Sequence, residues 1–203
     1  MRRTSGVVVA GGRGSRFGDR EKALVPVAGT PMLRRVADRL AAVADELVVN
    51  CRRDQRDAFA SALAGLDPRF AHDTVPDRGP VHGVRTGLRV ASGTYAVVLP
   101  CDMPFVDATL LAYLRNRARA TDADAVAPRV GGTSQPLCAV YRVDPARAAC
   151  ERVVGQPEPR LLDLLAALDV DTVPEETARE YADGPAFANV NAPADLEALA
   201  AED

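Results

Sequence analysis

The sequence predicts an α/β protein built on a mostly parallel sheet, and three observations carry that prediction. Short β-branched runs alternate with amphipathic helical stretches along most of the chain, which is the rhythm of strand, helix, strand and helix in parallel folds. The first run, residues 7–10, is apolar without alternation, as strands covered on both faces tend to be. That run ends in a turn rich in glycine and arginine, and the carboxyl ends of such strands are where open α/β sheets place their ligands.

Val7, Val8, Val9 and Ala10 form the first strand, followed by a loop over residues 11–18 and a short apolar segment at 24–27. Thr30 reads as an N-cap with Pro31 at the first helical position, and Met32, Val36, Leu40 and Val43 then recur at helical spacing. Residues 47–49 make a second strand ending at Asn50, and 55–63 a second helix before the turn at 65–68. Residues 73–83 are polar with several prolines and glycines and read as a loop; the next helix carries Val81, Val84, Leu88 and Ala91 on its apolar face. The clearest internal strand, 95–99, is stopped by Pro100-Cys101-Asp102-Met103-Pro104.

A helix follows over 107–118, then strands at 123–130 and 137–141 separated by Gly131-Gly132. Helices are predicted from Asp144-Pro145 and over 161–168, and a last strand at 170–173. Residues 174–184 are acidic and expected to be exposed, and a short helix begins at Pro193. No repeat or low-complexity linker divides residues 1–203, so one domain is expected.

Composition excludes several function classes. A formal charge of -3 and the absence of a basic run argue against nucleic-acid or membrane-surface binding. Behind Arg2-Arg3 the apolar run is too short for an export signal, and no stretch approaches a membrane span. The expectation is a soluble cytoplasmic protein with a small-molecule partner. Cys51, Cys101, Cys138 and Cys150 are spaced for neither zinc nor a disulfide framework, and read as buried reduced thiols. With only His72 and His82, serine-protease chemistry and multi-histidine metal sites are disfavoured.

The loop at 11–18 fails two familiar phosphate patterns. Phe17 stands where the dinucleotide fingerprint needs glycine, and Lys22 does not directly follow a glycine as the Walker pattern requires. What remains resembles the nucleotidyltransferase signature Gly-Gly-x-x-x-Arg-x-Gly followed by lysine, here Gly11, Gly12, Arg16, Gly18 and Lys22. Lys22 is the only lysine among 25 Lys and Arg residues. A compact ammonium can settle between adjacent phosphates where a planar guanidinium cannot; the alternative is a surface lysine after a glycine turn.

Three further pieces accompany the loop. Asp102, at a strand end, is either a Mg²⁺ ligand or a turn aspartate. Asp77, before the helix that begins near Pro80, either accepts hydrogen bonds from a base or ribose or lies in an exposed turn. Asn189 and Asn191 alternate in an extended segment and so face one side, although Asn191 also suits a helix cap.

In this order the pieces resemble the molybdenum cofactor guanylyltransferase family. The matching segments are residues 9–22, 29–33, 77–83, 99–105, 135–137 with 139–141, and 189–191. The resemblance implies a single-domain Rossmann-like three-layer nucleotidyltransferase fold, which joins GMP from GTP to molybdopterin. By position it implies that Ala10, Gly11, Gly12, Lys22 and Asp77 contact GTP, with Asn50 near the guanine. It assigns Mg²⁺ to Asp102, and the metal and pterin side to Asn189 and Asn191. Related cytidylyltransferases more often read Ala-Ala-Gly in the first loop, so Gly11 favours guanine. Phe17 and His82 depart from the family pattern, which has methionine and a small residue there. Transient contact with other cofactor-biosynthesis proteins or acceptor apoenzymes fits the same resemblance.

The expected chemistry is in-line attack by a pterin phosphate on the α-phosphorus of GTP. Lys22, Arg16, loop N–H groups and Mg²⁺ on Asp102 would stabilise the developing charge. A cytidylyltransferase, a sugar-phosphate nucleotidyltransferase and a non-catalytic nucleotide-binding regulatory protein are the alternatives.

Overall fold

A computed structural model describes residues 3–12, 17, 21–74, 78–182 and 184–200, the last four as backbone only. The first half of the chain supplies β1 (Thr4–Val9), β4 (Glu46–Cys51) and β5 (Arg69–His72) to the main sheet, while the short β2 (Pro26–Val27) and β3 (Thr30–Pro31) pair with each other in a separate two-stranded sheet. Then come β6 (Tyr95–Pro100), β7 (Ala125–Val130), β8 (Thr133–Ser134), β9 (Ala139–Arg142) and β10 (Val170–Val173). The main sheet runs β10-β7-β9-β6-β1-β4-β5 with β8 paired to β7. Its pairings are parallel except where β9 meets β6 and β7, and where β7 meets β8.

Helices cover both faces because successive strand residues point to opposite sides. Val8, Val49, Val97 and Leu99 face a core shared with α1 (Met32–Ala41), α2 (Arg56–Ala62) and α4 (Ala108–Thr121). Val7, Val48, Ala96 and Val98 face the other core, shared with α3 (Pro80–Val90), α5 (Val143–Val154) and α6 (Leu161–Ala166). The result is a three-layer α/β sandwich, as the sequence predicts. Among the described residues, no helix is long and apolar enough to cross a membrane.

Local signals explain most boundaries. Asp107 caps α4 by accepting from the Thr109 N–H at 2.7 Å, and Pro80 takes the first position of α3, where its missing N–H is harmless. Thr30 is different: it pairs with Val27 across a turn at Ala28 and Gly29, both with positive φ. This two-residue hairpin leaves Pro31, not Thr30, as the α1 N-cap. Likewise Arg142 caps α5, and Asp144 lies inside its first turn.

Two segments exceed the sequence reading. β5 occupies residues left unassigned and ends just before Asp73. The stretch 174–184 is not wholly exposed: it contains α7 (Glu175–Arg179), whose Ala178 is buried, and Tyr181 stacks on Tyr113 at 4.1 Å. The few alanines and the tyrosine in that charged stretch are the groups that pack. A terminal helix, α8 (Pro193–Ala200), closes the described chain.

Candidate active site

The chain runs from β1 to β4 and β5 on one side, then returns to β6 on the other side of β1. That reversal opens a crevice at the carboxyl ends of β1, β4 and β6, the usual ligand position in such sheets. Backbone bonds stitch these ends together: Ala10 N–H to the Asn50 carbonyl at 3.0 Å and Cys101 N–H to the Val9 carbonyl at 3.1 Å. The crevice holds a cavity of about 410 Å³. Ala10, Gly11, Gly12, Lys22, Asn50 and Asp102 all line it, so six residues singled out from sequence meet in one place.

On one side Lys22 Nζ donates to Asp102 Oδ2 at 2.6 Å and to Asn191 Oδ1 at 2.9 Å. The Lys22 side chain is only 14% exposed, which removes the surface-lysine alternative. Asn191 uses its side chain on Lys22 rather than as a helix cap, while Asp195 Oδ2 accepts the Asn191 and Ala192 N–H groups. The segment is held to the strand end by the Val190 N–H on the Asp102 carbonyl at 2.8 Å. Asn189 and Asn191 are both exposed and neither is among the residues lining the cavity; Asn191 meets the site through Lys22. Arg16 and Asp77 lie outside the described residues.

On the other side the wall is built around Asn50, which is fully buried. Its Nδ2 donates to Asp73 Oδ1 at 2.8 Å and to the Ala71 carbonyl at 3.3 Å. Gly11 and Gly83 make room for this arrangement. A Cβ on Gly11 would fall 2.5 Å from Asp73 Oδ2, and one on Gly83 would fall 2.6 Å from Asn50 Oδ1. Asp73 was not singled out from sequence; recognising β5 would have placed it at a strand end. His82 also lines the cavity. Burial, then the charges of Arg85 and Arg78, hold its pKa below the ordinary value against the pull of Asp73.

The remaining flagged residues have packing roles. Phe17 is buried against Val27, Met32 and Val190, tying the loop to the β2–β3 hairpin and to the asparagine segment. Burial, reinforced by the neighbouring Asp102 charge, pushes the Cys101 thiol up to about 12, so it is a protonated packed group and no nucleophile. All four cysteines are free and buried.

A metal ion fits the Asp102 side of the cavity. Asp102 Oδ1 is buried without a hydrogen-bond partner, and the neighbouring side-chain acceptor is the amide oxygen of Asn191. These are hard oxygen donors of the kind Mg²⁺ takes. Among the described residues no group of three or more His, Cys, Asp or Glu is placed to hold a metal.

Residues 6–170 match the family described as "MobA-like NTP transferase domain". With the crevice at the switch point of the sheet, this makes the protein a nucleotidyltransferase. It is 46% identical, over 97% of its length and 96% of the relative, to a "Probable molybdenum cofactor guanylyltransferase" of Natronomonas pharaonis. A relative of the same name in Haloferax mediterranei is 42% identical over 96% of this chain and 92% of its own. The chain belongs to the molybdenum cofactor guanylyltransferase family. Among solved structures, molybdopterin-guanine dinucleotide biosynthesis protein A from Archaeoglobus fulgidus superposes with a TM-score of 0.79, at 28% identity, over 97% of this chain and 96% of that one.

Proposed function

We propose that the protein transfers GMP from GTP to the terminal phosphate of molybdopterin, releasing pyrophosphate and forming the guanine dinucleotide. The observation that carries this reading is the junction of Lys22 and Asp102, which line the cavity, with Asn191. Three distant segments converge there on one cation and one carboxylate. A triphosphate lying along Gly11 and Gly12 would bring its phosphates to Lys22, with the acceptor approaching from the asparagine side.

The base side supports guanine. The Asp73 carboxylate, oriented by Asn50 and set over Gly11, accepts hydrogen bonds. Guanine offers adjacent N–H donors on its pairing edge, whereas cytosine offers a single amino group. Asp77 would contribute to base or ribose binding from the helix entrance, and Asn189 would belong with Asn191 to the acceptor side.

A phosphate monoester dianion is already a nucleophile, so the protein needs no general base. Lys22, joined by Arg16 through its place in the signature, would supply cationic charge, and loop N–H groups donors, to the reacting phosphorus and the departing pyrophosphate. Asp102 would hold Mg²⁺, with Asn189 and Asn191 on the metal and pterin side; bound there, the ion would offset charge on the leaving group. Asn191 holds Lys22 toward Asp102 and limits its swing into solvent.

A panel of GTP, CTP, ATP and UTP with Mg²⁺, followed by pyrophosphate release on adding molybdopterin, tests the reading. GTP alone should raise the melting temperature strongly and support turnover. Preference for CTP would overturn the base assignment. Binding with no pyrophosphate release from any acceptor would overturn the proposed reaction.

A further inference from the structure

We infer that Arg52 is a positioning residue for nucleotidyl transfer, holding both ends of the glycine loop so that Lys22 and the Gly12 N–H keep their directions. Arg52 follows β4 directly and is 8% exposed. Its Nη1 donates to the carbonyl oxygens of Gly11 and Gly12, each at 3.2 Å. Its Nη2 donates to Glu21 Oε1 at 2.7 Å, and Gln55 Nε2 holds Glu21 Oε2 at 2.7 Å. Gln55 Oε1 in turn accepts the Arg52 N–H at 2.8 Å. One guanidinium therefore joins the start of the loop to its end at Glu21, the residue before Lys22.

The consequence follows from peptide geometry. A trans peptide points its C=O and the next N–H in opposite directions. Because Arg52 Nη1 holds the Gly11 carbonyl, the Gly12 N–H points away from Arg52, and Gly12 lines the cavity. At the other end, a Glu21 carboxylate fixed through both oxygens sets where the Lys22 side chain begins, and so its reach to Asp102. Lysine at position 52 has one compact ammonium and cannot serve two carbonyls and a carboxylate with a planar fork. Arg52 has this role only if the loop binds the triphosphate, as proposed above, whichever base and acceptor are used.

The experiment uses the full chain with GTP and Mg²⁺. Binding is measured by calorimetry, and kcat/KM per folded molecule with molybdopterin well below the melting temperature. The variants are Arg52→Lys, Glu21→Gln, Lys22→Ala and the Arg52→Lys/Lys22→Ala double variant. Arg52→Lys is expected to lose roughly a hundredfold in kcat/KM, the scale of a small misplacement transmitted to a reacting centre. Glu21→Gln should lose less, in the same direction. In the Lys22→Ala background the Arg52 change should have a smaller effect, because the part of it carried through Lys22 is already lost.

A residue that only supports the fold would lower Tm and leave kcat/KM per folded molecule unchanged. That result, or full losses that multiply in the double variant, overturns the role. If Arg52→Lys does not fold, Glu21→Gln decides by the same criteria. Failure of the wild-type protein to bind GTP with Mg²⁺ overturns the triphosphate reading and the Arg52 role together. Normal wild-type binding and turnover with an indifferent Arg52→Lys overturns the Arg52 role alone.

Discussion

Lys22 Nζ lies 2.6 Å from Asp102 Oδ2, joining the end of the glycine loop to the end of β6 across 80 residues of sequence. The pair is largely shielded, with side-chain exposures of 14% and 21%. One compact ammonium contacts Asp102 and Asn191 together, whereas a guanidinium is larger and planar and would set its charge at a different point. Lys22→Arg is therefore expected to fold and to lose roughly a hundredfold or more in kcat. Pyrophosphate release by the purified variant measures this, and near-normal turnover would remove Lys22 from the chemistry.

Asp102→Asn keeps the size of the side chain and removes its charge. Turnover should fall roughly a hundredfold to a thousandfold, on the scale of one lost electrostatic contact to the transition state, and the residual activity should need far more Mg²⁺. A Mg²⁺ titration of both proteins is the measurement. An unchanged Mg²⁺ dependence would show that the metal is held elsewhere.

Gly11→Ala sets a methyl group 2.5 Å from Asp73 Oδ2, so the carboxylate must move and the Asn50–Asp73 hydrogen bond is disturbed. GTP affinity should drop roughly tenfold, equivalent to about 1.4 kcal/mol or one hydrogen bond. CTP affinity should fall less. Dissociation constants for both nucleotides decide it, and an unaltered GTP preference would sink the assignment of Asp73 to the base.

At the opposite end of the strands, Glu46 is expected to contribute to acid stability. Burial alone would raise its pKa, but hydrogen bonds from Ser5, from the Ser92 N–H and hydroxyl, and from Arg69 outweigh burial and hold it at about 2. The folded state therefore prefers the ionised form. Its contribution, on the order of 2–3 kcal/mol, is complete above the ordinary value of 4.5 and lost as pH falls toward about 2. Urea unfolding along that range should show the loss in the wild-type protein and a flatter profile in Glu46→Gln. Equal slopes would exclude Glu46 as the source.

Much of the fold was legible because its signals are local. β-branched runs, helical spacing and proline at a helix start identify β1, β4, β6, α3 and α4 from neighbours in sequence alone. β5 was missed because Arg69, Phe70, Ala71 and His72 show neither clean alternation nor a β-branched run; pairing with β4 makes them a strand. Thr30 was misread as a cap because the competing hairpin depends on positive φ at Ala28, a conformation that alanine does not advertise.

By itself the sequence determined the layered α/β architecture, the glycine loop and its lone lysine, because each follows from short-range pattern and side-chain chemistry. It also pointed to Asp102 and Asn191 as separate pieces. Only the tertiary structure decided that Asn191, 169 residues from Lys22, shares its ammonium with Asp102. Only the tertiary structure also showed that Asp73 fills the space a Gly11 side chain would take, and that Arg52 closes the loop from behind. The reason is strand order: with β1 between β4 and β6, three strand ends remote in sequence open into one crevice.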